Sequence, residues 1–153
     1  MTAVDFPIPE LTPEAGRFVA MFSRLEYAMK RCPEFRQVRH GYVEADWGAF
    51  QARPEITALY VILNQTPEAK ELLQTPPKQR VETGSDLPWG NAPAKCADMV
   101  AVVRGLKNVR NNLFHGEKGT VQTDRDVRLY QSSITVMNAM LTAMPSVAAH
   151  YYF

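Results

Sequence analysis

The chain has 153 residues, of which 46% are apolar, 10% aromatic and 22% charged. That balance excludes a disordered chain, a collagen-like repeat and a coiled-coil rod, and the length suits a single domain over residues 1–153. Seventeen basic against sixteen acidic residues leave a net charge of +1. This argues against a surface coated in positive charge for non-specific DNA binding, but it leaves room for one local basic site.

No apolar run approaches the roughly 18 residues of a membrane span. Residues Met1 to Pro9 offer neither a basic n-region nor an apolar h-region, so no secretory signal is expected. Cys32 and Cys96 lie in apolar helical patterns and form no CxxC. They read as buried, reduced thiols of a cytoplasmic protein, and no structural zinc site or other metal is expected.

Three long segments and several short ones read as helix, and no stretch makes a convincing sheet. The first begins at Thr12 as N-cap with Pro13 at the first helical position and Glu14 near the positive end of the dipole. Phe18, Phe22, Leu25, Met29 and Cys32 follow at steps of four and three, one apolar stripe, and Pro33 ends it. Next, Glu44–Gln51 predicts a short helix presenting Trp47 and Phe50. After Pro54, residues Ile56, Leu59, Tyr60 and Leu63 keep helical spacing, although Val61 and Ile62 make a strand conceivable. Thr66-Pro67-Glu68 repeats the cap-plus-proline signature and starts a short helix through Leu73. The Pro- and Gly-rich stretch Pro76–Ala92 reads as a long loop, of the kind that is often functional.

The third strong helix is expected from Pro93 to about His115, with Cys96, Met99, Val103, Leu106, Val109 and Leu113 on one face and Gly116 as the residue just past its end. Gly105 in its interior costs about 1 kcal/mol relative to alanine and marks a close helix contact. The last helix opens on a capping box, Thr123 with Asp126, and carries Val127, Tyr130, Ile134, Met137, Leu141 and Met144 until Pro145. The tail ends Tyr151-Tyr152-Phe153, too aromatic to hang free, and is expected to dock on the body or on a partner. Three long amphipathic helices plus short ones predict an all-α bundle.

Among the three histidines, His40 lies in a polar turn and His150 in the aromatic tail, and both read as structural. His115 is different. It closes Arg110-Asn111-Asn112-Leu113-Phe114-His115, which places a guanidinium, side-chain amides and an imidazole at one helix end. From Arg104 to Arg128 the six basic residues exceed the three acidic ones. Glu26, beside the first helix's apolar stripe, is a candidate partner for Arg110 or Arg104. The methionines read as core packing.

The Arg-x4-His motif on the penultimate long helix, a short polar turn and a final amphipathic helix together resemble the HEPN superfamily. Leu25-Glu26-Tyr27 and Ala45-Asp46-Trp47-Gly48-Ala49-Phe50 resemble a plasmid- and prophage-associated subgroup of it. The resemblance implies a HEPN-like helical bundle and a homodimer whose two motifs line one composite cleft. It further implies a cofactor-free endoribonuclease with Arg110, His115 and Asn111 as catalytic residues, RNA as substrate, and an antitoxin or neighbouring regulatory protein as partner. The chain departs from one common variant, which has a tyrosine two residues after the histidine; Glu117 stands there.

Helix geometry is compatible with the dimer that the resemblance implies. At about 100° per residue, Arg110 and His115 lie roughly 140° apart around the axis, whereas Asn111 and His115 share a face. One helix does not bring the arginine onto the histidine, but two copies facing across a two-fold axis can. The chemistry suits RNA cleavage without a metal, in which the ribose 2′-hydroxyl attacks the adjacent phosphate. Imidazole exchanges protons near neutral pH, and guanidinium forks onto phosphate oxygens. Two other readings stand: a non-catalytic HEPN dimer that binds nucleotide, RNA or a partner protein, and a plain bundle whose motif is coincidental.

Overall fold

A computed structural model describes residues 4–8, 10–81, 83–84, 87–116 and 122–152. The three long helices form where their caps direct them. Helix α1 spans Pro13–Lys30, with the Thr12 hydroxyl accepting from the Ala15 N–H. Helix α6 spans Met99–Phe114, and α7 spans Asp124–Ala143 behind the reciprocal Thr123–Asp126 capping box. Between α1 and α6 lie short helices: α2 (Trp47–Gln51), α3 (Pro54–Thr57), α4 (Leu59–Leu63) and α5 (Lys70–Gln74). A final turn of helix, α8 (Pro145–Ala148), follows α7.

The expectation of an all-α bundle is corrected by a hairpin. Strands β1 (Arg36–Arg39) and β2 (Tyr42–Ala45) pair antiparallel, with Val38 opposite Val43 and Arg39 opposite Tyr42. The fold is therefore mostly helical with a small two-stranded sheet. The turn is a two-residue loop in which His40 (φ 52°) and Gly41 (φ 80°) both take positive φ. Positive φ at both central positions characterises the type I′ turn, whose twist matches that of the flanking strands. The hairpin takes Glu44 and Ala45 out of the helix expected there, which begins only at Trp47 behind an Asp46 cap.

Other boundaries shift for local reasons. Helix α6 starts at Met99 rather than just after Pro93, because the Asp98 carboxylate accepts from the Ala101 N–H at 2.8 Å. Cys96 precedes the helix and is buried there. Val61 and Ile62 are helical and more than 60% exposed, so no strand forms. On α7 the buried residues are Asp126, Leu129, Tyr130, Ser132, Ser133, Val136, Met137 and Met140. That face is wider than the expected stripe because α7 meets α1 on one side and α5 on the other. The Ser132 hydroxyl accepts from the Leu72 N–H at 3.0 Å, which ties α5 to α7.

The core joins residues from every long helix. Phe18 packs against Tyr130, with ring centroids 5.8 Å apart. Phe22 stacks on Trp47 at 5.6 Å, and Phe50 meets Phe35 edge-on at 5.4 Å. Gly105 marks the close contact expected of it, with Leu72 of α5 beside its backbone. The tail docks on the body: Val147 is buried, and the Tyr151 carbonyl accepts from Arg24 Nε at 2.7 Å. Phe153 lies outside the described residues. No helix among those described is long and apolar enough to cross a membrane.

Candidate functional site

Helix α6 carries Arg104, Lys107 and Arg110 and not one carboxylate over its sixteen residues. Its last turns pass α1 and the hairpin, and a polar cleft of about 640 Å³ opens between them. Glu26 and Lys30 of α1, Arg39 and Glu44 of the hairpin, Asp46 and Trp47 at the start of α2, and Lys107 and Arg110 line it.

Arg110 is half-buried in this cleft. Its guanidinium lies 5.3 Å from the centre of the Phe22 ring and 5.9 Å from that of Phe114, so aromatic faces hold it. Its Nε is buried and has no hydrogen-bond partner among the described residues. The expected pairing of Glu26 with Arg110 or Arg104 does not occur. Instead Glu26 Oε2 accepts the indole N–H of Trp47 at 2.8 Å. The other two carboxylates are engaged as well: Asp46 caps α2 by accepting from the Ala49 N–H at 3.0 Å, and Glu44 faces Arg39 at 3.7 Å.

Asn111 sits one residue further round, in a shallow pocket shared with Gln51, Arg104 and Lys107. His115 is the C-cap of α6, its N–H donating to the Asn111 carbonyl at 2.9 Å. Its side chain is exposed and bonds none of the described residues. Gly116 follows with φ 69°, the left-handed residue expected just past the helix. The three expected residues thus share one end of α6 but not one cavity. Arg110 lies in the cleft, Asn111 in its neighbour, and His115 lines neither.

The second asparagine of the motif is structural. Asn112 Nδ2 donates to the Lys78 carbonyl at 2.9 Å, and Asn108 Oδ1 accepts from Gln79 Nε2 at 2.8 Å. Together they pin the start of the long loop to α6. Lys107 links the two pockets and was legible as the i−3 neighbour of Arg110 on the same helix face. Lys30 and the hairpin wall carry no local signal in the sequence. His40 occupies the hairpin turn and His150 the tail, where its N–H donates to the Val147 carbonyl. Among the described residues no group of three His, Cys, Asp or Glu side chains is placed to hold a metal ion.

No family model, curated protein or solved structure matches the chain.

Proposed function

We propose that the protein is a metal-independent endoribonuclease of HEPN type, acting as a homodimer whose composite site joins the α6 ends of two copies. The observation that carries this reading is the end of α6 itself. Three cations, Arg104, Lys107 and Arg110, stand without a counter-charge on their own helix, and an exposed imidazole follows at His115. The Arg-x4-His resemblance supports the same chemistry.

In that chemistry the 2′-oxygen of a ribose attacks the adjacent phosphorus. The bond from phosphorus to the 5′-oxygen of the next nucleotide breaks, leaving a 2′,3′-cyclic phosphate and a 5′-hydroxyl. One copy of His115 takes the 2′-hydroxyl proton and the other gives a proton to the departing oxygen. Arg110 holds the phosphate oxygens as charge builds on them, and Asn111, one turn before His115, orients the imidazole or the phosphate. A dimer answers the separation of the three residues, since Arg110 and His115 of one copy line no common cavity. Toxin or defence roles, with an antitoxin as partner, suit an enzyme of this kind acting on RNA in the cytoplasm.

The test is RNA cleavage in EDTA by wild type, Arg110→Ala and His115→Ala, with the product ends identified. Cyclic-phosphate ends from wild type alone are expected. Mixing equal amounts of wild type and His115→Ala then probes the dimer. Random exchange leaves a quarter of the dimers with both imidazoles, so activity falls to about half of what the wild-type subunits gave alone. Cleavage that survives both substitutions would sink the assignment. A folded dimer that binds RNA without cutting it would favour the non-catalytic binding module, for which the separation of His115 from the Arg110 cleft speaks.

A further inference from the structure

Four cations, Lys30, Arg39, Lys107 and Arg110, and three carboxylates line the cleft beside α6. Glu44 faces Arg39, while Glu26 and Asp46 accept from the Trp47 indole and the Ala49 N–H and pair with no cation among the described residues. Lys30, Lys107 and Arg110, each half-buried, line the same cleft and form no ion pair among the described residues. Half-burying Lys30 and Lys107 without an ion-pair partner is unfavourable, and a bound anion relieves both their desolvation and their repulsion with Arg110. A cavity of about 640 Å³ has the size of a small-ligand site.

Two features favour a strand over a free anion. The cations of α6 stand three residues apart, roughly 4.5 Å along the axis, from Arg104 through Lys107 to Arg110, and His115 follows five residues on. The hairpin face that lines the cleft, with Gln37, Arg39 and Glu44, also carries Tyr42, which pairs with Arg39 and is 74% exposed. A basic groove flanked by an exposed aromatic ring is the arrangement that binds single-stranded nucleic acid, phosphates on the cations and a base on the ring.

We propose that this cleft is a phosphate subsite for the RNA strand beside the bond that is cut, with Lys30 and Lys107 as its ligands and Tyr42 as the platform for the neighbouring base. The strand assignment rests on the reading of the protein as an RNA-cleaving enzyme; the phosphate site itself does not.

Binding is measured by fluorescence anisotropy with a short labelled RNA whose 2′-oxygens are methylated, so that no cleavage enters the signal. The combined Lys30→Gln, Lys107→Gln variant is expected to bind about tenfold more weakly. Its plot of log K against log salt becomes shallower by about 1, as expected when one or two phosphate contacts on a single strand are lost. Lys107→Arg keeps the affinity, Tyr42→Ala loses severalfold, and Lys70→Gln on α5 changes nothing. Equal affinity and equal salt slope in the double-lysine variant, with its melting temperature unchanged, would overturn the subsite. Binding of inorganic phosphate that depends on both lysines, without binding of the methylated RNA, would overturn the strand assignment. Lysine-dependent RNA binding by a protein that never cuts RNA supports the subsite while refuting the ribonuclease.

Discussion

Replacing Gly105 by alanine sets two effects against each other on the helix that carries the site. By helix propensity alone the change adds about 1 kcal/mol of stability. Here, however, the new Cβ would stand 3.2 Å from Leu72 Cδ1 and 3.6 Å from Pro76 Cβ. Leu72 is fully buried, and α5 has no room to retreat. The Leu72 N–H is bonded to Ser132 on one side, and the Leu73 carbonyl accepts from the Cys96 N–H at 2.8 Å on the other. Forcing one carbon into such packing costs about 1–3 kcal/mol. The net expectation is a loss of about 1 kcal/mol, or a fall in Tm of about 3 °C for a chain of this length. Urea titration reads it as a lower midpoint at unchanged m. Leu72→Ala removes the colliding methyl at a cost of about 2–5 kcal/mol of its own. In that background Gly105→Ala becomes stabilising, so the double-mutant cycle shows a coupling of about 2 kcal/mol. A stabilised single variant with no coupling would refute the close approach of α5 to α6.

Three further outcomes follow from buried polar groups. The Tyr130 hydroxyl is buried without a hydrogen-bond partner among the described residues, so Tyr130→Phe keeps or raises stability at neutral pH, by up to about 1 kcal/mol. Burial first, and the nearby Asp126 charge second, push the Tyr130 pKa up from 10.0 to about 12. The folded protein therefore holds this proton after the unfolded chain releases it. Its contribution is intact below pH 10 and fades as pH rises toward 12, by on the order of 2 kcal/mol. Urea midpoints across that window fall less steeply in Tyr130→Phe, and equal slopes would contradict the burial. The thiols of Cys32 and Cys96 are raised by burial, with Glu34 adding to the first and Asp98 to the second. Neither should react with a disulfide reagent until urea unfolds the chain, and rapid labelling of the native protein would count against it. Asn112→Ala removes the bond to the Lys78 carbonyl and loosens the loop. Exchange of the Val81 and Gly90 amides, which close that loop's own hydrogen bonds, should quicken about tenfold, while amides in the middle of α7 stay protected.

The long helices were legible because their signals are local. Thr12 with Pro13, and Thr123 with Asp126, announce their helices within four residues. The hairpin was not legible for a physical reason. Its strands have four residues each, too short for alternation to stand out, and its turn uses His40 where asparagine or aspartate is the usual sign. Histidine enters the left-handed region more readily than most residues, which suffices once Gly41 follows. At the site, the Arg110-to-His115 end of α6 could be read from the sequence, and so could the fact that one helix keeps the two apart. What no pattern carried was the company Arg110 keeps. Glu26 is a plausible counter-charge in sequence, but Trp47 reaches it in space, and Lys30 joins the cleft only because the hairpin folds back over the end of α1.

The all-cationic α6 also has a consequence for how the molecule moves. The whole chain carries +1, and α6 carries +3, so everything else sums to −2. The protein is nearly isoelectric at neutral pH, with a sequence pI of about 7.8, and its net charge hides this concentration of cations on one helix. Its net charge gives little colloidal repulsion and little long-range pull on a polyanion. The α6 cations act on a polyanion only at short range, within a Debye length of about 8 Å at physiological salt. Encounters with a polyanion should therefore slow only modestly as salt rises, while the contacts made at α6 itself stay salt-sensitive.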